Sequence, residues 1–482
     1  MMRLRFTAAA LAMLALGGCM SLGPDYQRPS VEAPAQWPGA GADEAVSATW
    51  WMSYNDPVLE RMIDEALLRN LDLRQAIARV DEARAVLGIV RADQYPGVSA
   101  NAGASRNRMS QEGALSPPGV QPEYSNHRAT LNASYEVNFW GKFSRASETA
   151  RAELLGSQFN REAVRLALIA DIARNYFNLR ALDAQLAITS RTISTRLAST
   201  ALLRMRFEAG VTSELELRQV EAETAQAQAF LPRITQQLAA QETALGVLIG
   251  RSPRALVEQP LERGAAMAAL TTPPAVPAGL PSALLERRPD LRQAEQSLIA
   301  ANARIGLAKA AYFPSISLSA FLGGESASLS ALFNTQARIW QLAGSATQTL
   351  FDAGRTGAQV DVAQARQQKA LAQYQAAIQN AFKDALDALV AQRTAREIAE
   401  AEQQRIDALQ AAMRLAQLRY DNGISSLLDV LISERALLDA QLNRVDAQRA
   451  QLSASADLFK ALGGGWDGSG DSERGVSETT RN

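Results

Sequence analysis

The chain has 482 residues, with 49 Lys+Arg against 50 Asp+Glu and a formal net charge of -1, so it lacks the basic excess that nucleic-acid binding requires. One cysteine, Cys19, and one histidine, His127, exclude an internal disulfide and leave too few ligands for a usual zinc site. Aromatics at 6%, charged residues at 21% and frequent alanine suit long helices packed through small side chains better than ordinary globular domains.

The N-terminus reads as an export address. Arg3 and Arg5 precede an apolar run from Phe6 to Leu16, too short for a membrane span of about 20 residues. Leu16-Gly17-Gly18-Cys19 resembles the lipobox of bacterial lipoproteins. That resemblance implies cleavage before Cys19, acylation of Cys19 and, because residue 20 is Met rather than Asp, sorting to the outer membrane. No later stretch reaches about 18 uninterrupted apolar residues, so any crossing falls to strands of a closed barrel.

The first unit reads helix, strand, loop, strand, long helix, tight turn, long helix. Val98, Ala100, Ala102 and Ala104 alternate with Ser99, Asn101, Gly103 and Ser105, the period of a strand with two unlike faces. From Arg128 to Phe139, Ala129, Leu131, Ala133, Tyr135, Val137 and Phe139 alternate with polar residues. His127 stands at the start of that strand in a structural role, and the segment 107–126 between the strands is an exposed loop. From Gly141 to about Arg206 there is no proline, and Val164, Leu168, Ile172, Leu179, Leu182 and Leu186 keep helical spacing. Some 60 residues at 1.5 Å rise reach roughly 90 Å, far beyond a core helix. Gly210 then turns the chain into a second long helix.

The pattern repeats. Arg206-Phe207-Glu208-Ala209-Gly210-Val211-Thr212-Ser213 matches Arg419-Tyr420-Asp421-Asn422-Gly423-Ile424-Ser425-Ser426, an offset of 419 − 206 = 213. Asp72-Leu73-Arg74-Gln75-Ala76 matches Asp290-Leu291-Arg292-Gln293-Ala294, an offset of 290 − 72 = 218. In the second copy Ile316, Leu318, Ala320 and Leu322 mark the third strand, and a weaker fourth spans Trp340 to Leu350 around the loop 325–338. The predicted organisation is a signal peptide 1–18, a lipidated extended segment 19–56, a first repeat 57–250, a Pro-rich linker 251–282, a second repeat 283–466 and a disordered tail 467–482.

Strands of about 10 residues, apolar on one face and polar on the other, fit a transmembrane barrel wall. The same pattern fits a half-buried strand of a soluble sheet, and the export address favours the membrane. Four strands cannot close a barrel when about eight is the minimum. Three chains would supply 4 × 3 = 12.

Several short motifs accompany this frame: Gly23-Pro24-Asp25-Tyr26-Gln27-Arg28-Pro29, Trp50-Trp51, Asp56-Pro57, Arg287-Arg288-Pro289-Asp290-Leu291-Arg292 and Leu458-Phe459-Lys460-Ala461-Leu462-Gly463-Gly464-Gly465-Trp466. Together they resemble the outer membrane factor (TolC-like) family, in its NodT/OprM-like efflux lipoprotein branch, over residues 16–466. The resemblance implies an α+β membrane protein. It would be a trimer whose 12-stranded β-barrel, four strands per chain, continues into a long periplasmic α-helical barrel. It also implies a passive exit duct in a tripartite pump. The partners would be a periplasmic adaptor and an inner-membrane transporter of the resistance-nodulation-division type, in contact with outer-membrane lipid and with no nucleic acid or cofactor beyond the lipid on Cys19.

By the same resemblance the adaptor docks at the hairpin tips, here Gly210, Val211, Gly423 and Ile424, although each glycine also serves the turn itself. The family's periplasmic gate places acidic side chains six and nine residues past the second turn glycine. These positions are Asp429 and Ile432, so only one is acidic, with Leu428 beside it. Three copies of Asp429 would form a cation-attracting ring. A plainer reading pairs Asp429 with Arg435 or Arg419 on a solvated helix face, as expected for most charges here. No motif supports catalysis. The competing non-enzymatic reading is a lipid-anchored periplasmic coiled-coil scaffold, which leaves four amphipathic strands unexplained.

Overall fold

The computed structural model describes residues 21–32, 34, 47–110, 122–271 and 284–464. The signal peptide, Cys19, residues 272–282 of the Pro-rich linker and the tail 467–482 lie outside them. The helices are α1 (Pro57–Arg69), α2 (Leu71–Ala92), α3 (Lys142–Glu208), α4 (Glu214–Leu248), α5 (Pro253–Glu258), α6 (Leu284–Arg287), α7 (Pro289–Ala310), α8 (Arg355–Asp421) and α9 (Leu427–Ala461). The strands are β1 (Gly97–Arg108), β2 (Glu123–Glu136), β3 (Ser315–Ser326) and β4 (Arg338–Thr347).

The duplication carries into these elements. Helices α3 and α8 have 67 residues each, α4 and α9 have 35, and both pairs keep the offset 355 − 142 = 427 − 214 = 213. Helices α2 and α7 have 22 residues each, β1 and β3 have 12, and both pairs keep 289 − 71 = 315 − 97 = 218. The five-residue difference therefore falls between the first strand and the long helix of each copy. At 1.5 Å per residue α3 and α8 are each about 100 Å long.

Among the described residues, contacts divide the chain into two compact units. One gathers the chain up to Ser30, Val80–Ser157 and Ala294–Tyr374; the other gathers Val31–Arg79, Gln158–Gln293 and the chain from Gln375 onward. Each unit takes pieces of both copies, so the sequence repeat is not the packing unit.

The first unit holds the sheet, an antiparallel meander in the order β1-β2-β3-β4. The second strand of one copy pairs with the first strand of the other. Register sorts the two faces. One row runs Ala100, Leu131, Leu322, Trp340 and the next runs Val98, Ala133, Ala320, Leu342. On the opposite face the rows are Ser99, Asn132, Phe321, Gln341 and Asn101, Thr130, Gly323, Ile339. A single chain leaves the apolar face uncovered, with Trp340 79% and Leu342 74% exposed.

Strand ends differ from the sequence expectation. β2 begins at Glu123 rather than Arg128, which puts His127 inside the strand opposite Ala104 and Ser326. The backbone ladder outlasts the apolar pattern, because main-chain pairing is indifferent to side-chain polarity. β2 also stops at Glu136, before Phe139. There Asn138 turns its side chain onto the Phe143 amide at 3.1 Å, and Trp140 Nε1 donates to the Pro314 carbonyl at 2.8 Å. β4 starts at Arg338 and ends at Thr347, short of Leu350, where the Gln348 amide instead reaches the Tyr312 carbonyl at 3.0 Å. Of the expected loop 107–126, residues 107–108 and 123–126 belong to strands and 111–121 lie outside the described residues; the expected loop 325–338 is shortened at both ends and contains two 3-10 turns, Leu329–Ala331 and Thr335–Ala337.

The second unit holds the main apolar core. Trp50, Tyr54, Leu59 and Ile63 pack with Ile169, Ile172 and Phe177 of α3, Leu245 of α4 and Leu452 and Phe459 of α9. Trp50 stacks on Phe459 with centroids 4.9 Å apart. Asp56, fully buried, caps α1 through the Val58 and Leu59 amides and also accepts from Tyr176 Oη at 2.5 Å and the Ala265 amide at 3.1 Å. Gly264 is required here, since a Cβ would lie 2.3 Å from the Asp56 carboxylate.

Candidate functional site

The two helical hairpins close with the same geometry. Helix α3 ends at Gly210 with φ +74, the Gly210 amide donating to Phe207 O at 2.9 Å and the Val211 amide to Arg206 O at 2.8 Å. Helix α8 ends at Gly423 with φ +70, the Gly423 amide donating to Tyr420 O at 2.9 Å and the Ile424 amide to Arg419 O at 2.8 Å. This is the Schellman end, which needs a left-handed residue and so glycine. Both glycines have open space where a Cβ would stand. Val211 and Ile424 follow them and are exposed, 74% and 67%.

The helices that leave the turns differ. Ser213 caps α4 in a capping box: its hydroxyl accepts from the Glu216 amide at 3.2 Å, and the Glu216 carboxylate accepts from the Ser213 amide at 3.1 Å. Thr212 also donates to Glu216, and these hydrogen bonds hold its carboxyl below the usual carboxylate range. Ser426 occupies the cap of α9 but makes no side-chain cap bond. Asp429 is the counterpart of Glu216, since 216 + 213 = 429, and its exposed carboxylate enters no ion pair among the described residues. Arg435, which the plainer reading offered to Asp429, instead lies 3.7 Å from Glu223.

Leu428 and Ile432 line one groove of about 160 Å³ together with Gln219, Leu431 and Arg435, and Asp429 is not part of its lining. Beside it Leu203, Leu217, Val220, Leu427, Val430 and Leu431 form a buried apolar plug that joins the two hairpins. Behind the plug stands Arg196, only 4% exposed, which corrects the expectation of solvated charges at this place. Its Nη1 donates to the Glu223 carbonyl at 2.7 Å and lies 3.4 Å from the Glu223 carboxylate, while Nε is 4.0 Å from Glu434. Burial raises the Glu434 carboxyl, with Arg196 opposing and Glu223 reinforcing the shift. Sequence reasoning missed this cluster because a charge among small residues on a long helix carries no periodic mark. No group of side chains suited to a metal occurs among the described residues, and no helix among them is long and apolar enough to cross a membrane.

Comparison with known proteins decides the class. The model of the outer membrane efflux protein family matches twice, over residues 62–251 and 280–464. The chain belongs to the outer membrane efflux protein family. It is 37% identical to the solvent efflux pump outer membrane protein SrpC of Pseudomonas putida, across 94% of this chain and 97% of that one. It is 34% identical to the cation efflux system protein CusC of Escherichia coli O6:H1, across 94% and 97%. The crystal structure of the Campylobacter jejuni CmeC outer membrane channel shares the fold with a TM-score of 0.89 at 24% identity, covering 94% of this chain and 96% of that one. The chain is thus an outer-membrane channel component of an efflux pump, located in the outer membrane, and it is not an enzyme.

Proposed function

We propose that three copies close a twelve-stranded barrel and form a passive exit duct for small toxic molecules. The observation that carries this reading is the sheet: four strands, one apolar face uncovered, an opposite face of Ser, Asn, Thr and Gln interrupted by Phe321 and Ile339, and outer edges at β1 and β4. An open edge is not tolerated in lipid, and pairing β1 of one copy with β4 of the next removes it. Cys19 is acylated and anchors the chain. A periplasmic adaptor docks at the tips, Gly210, Val211, Gly423 and Ile424, and links the duct to an inner-membrane transporter of the resistance-nodulation-division type. Leu428, Asp429 and Ile432 form the periplasmic gate. Asp429 supplies charge and the other two narrow the opening by apolar contact, which agrees with their exposure and with the groove that Leu428 and Ile432 share.

Planar-bilayer conductance of the purified trimer tests the reading. The expected result is a small, cation-preferring conductance. A trimer that never conducts, even when the helical end is forced open, would defeat the duct.

A further inference from the structure

Residues 21–28 are bound to the sheet-bearing unit by buried polar groups. Arg145, at the start of α3, is 5% exposed; its Nε donates to Leu22 O at 3.0 Å and its Nη2 to Asp25 at 2.8 Å. Asn302 of α7 donates to Pro24 O at 2.7 Å. Glu295 of α7 is 5% exposed and receives Arg28 through two bonds, at 2.6 and 2.8 Å, and Tyr26 Oη at 3.1 Å. Release of the segment would take both Arg28 and Tyr26 from a buried carboxylate, which is costly. The backbones also meet too closely for side chains: a Cβ on Gly306 would stand 2.3 Å from Leu22 O, and one on Gly23, at φ +93, would stand 2.5 Å from the Gly306 Cα.

The upper end of the segment has a defined address. Ser21 lies against Gly141, where a Cβ would be 2.9 Å from the Ser21 Cα. Gly141 sits between the end of β2 and the start of α3, next to Trp140, which stacks on Phe313 at 4.8 Å and faces Phe139 at 6.5 Å. Such rings favour the boundary between lipid and water. Cys19 is two residues before Ser21, so the chain can carry it no more than about 7 Å from there.

We propose that residues 21–28 are a clasp, fastened by Arg145 and Glu295, that fixes the acylated N-terminus beside the aromatic residues at the base of the sheet, against the periplasmic leaflet. It spans both sequence copies, since Arg145 belongs to the first and Glu295, Asn302 and Gly306 to the second. The lipid then holds the barrel wall at a set depth rather than through a slack tether. This rests on the reading of Cys19 as acylated and of the sheet as membrane-spanning.

Chymotrypsin cleavage of the Tyr26–Gln27 bond in the intact protein, followed by mass spectrometry, tests it. The wild type resists cleavage equally in detergent and in phosphatidylethanolamine vesicles. Glu295→Gln and Arg28→Ala are each cut at that bond at least tenfold faster, and Arg61→Ala, which breaks an exposed ion pair in the other unit, is not. Arg28→Ala carries the test if Glu295→Gln fails to fold. Wild-type cleavage as fast as the variants would overturn the clasp, as would protection that vanishes in detergent. The mass of the released N-terminal peptide separates the two premises: an unacylated Cys19 overturns the anchor and leaves the clasp standing.

Discussion

The two hairpin turns began as one sequence and now differ in a single respect that matters. Both end a 67-residue helix in a left-handed glycine, and both begin a 35-residue helix at a serine. In the first, the acidic residue three positions on is Glu216, and its carboxylate is engaged in the cap. In the second it is Asp429, one methylene shorter, and the Ser426 side chain makes no cap bond. Identical backbone geometry therefore leaves one carboxylate locked in structure and the other free in solvent. A sequence duplication can thus keep a fold while releasing one copy of a side chain for another use.

The largest expected effect tests what the hairpins share. Leu217→Ala and Leu427→Ala each remove part of the buried plug and should cost about 2–5 kcal/mol in denaturant unfolding, alike within error. The exposed Leu428→Ala should leave stability unchanged and alter conductance instead. Next comes the cap. Ser213→Ala should cost about 1 kcal/mol by hydrogen exchange in the first turn of α4, and Ser426→Ala close to nothing in α9. Equal losses would erase the distinction drawn here. Gly210→Ala and Gly423→Ala should each cost about 1 kcal/mol and by the same amount, since neither site crowds a Cβ and only the left-handed backbone is penalised. The smallest effect concerns pH. Because the folded Glu216 carboxyl lies below its ordinary range, its contribution is complete above that range and disappears as pH falls through the lowered value. Hydrogen exchange in α4, corrected for intrinsic rates, should show this acid fraying, and α9 should not.

Much of this was legible in the sequence. Glycines at a fixed offset betrayed the turns, because few residues accept a positive φ. Alternation betrayed the strands, because one face meets an apolar medium. The strand ends were not legible. β2 runs back to Glu123 on main-chain pairing joined by polar side-chain bonds, Arg106 to Glu123 at 3.0 Å and Asn126 to Glu325 at 2.9 Å, which leave no apolar alternation, and at Asn138 the alternation continues by coincidence after the backbone has left the ladder. Nor was the buried set of Arg145, Arg196, Glu295 and Arg288 legible. Arg288 binds its neighbour Asp290 and, from distant parts of the chain, Asp384 and the Ala381 and Ala461 carbonyls, and such convergence exists only in the fold. The proposed gate residues Leu428, Asp429 and Ile432 rest on resemblance. The contrast between Asp429 and Glu216 appeared only when their hydrogen bonds could be compared.

The most direct measurement compares ion selectivity and conductance of Asp429→Asn and Glu216→Gln in planar bilayers against the wild type. The account predicts that Asp429→Asn loses cation preference and conducts more, while Glu216→Gln conducts as the wild type does. Unchanged selectivity in Asp429→Asn, or an equal change in both variants, would contradict it.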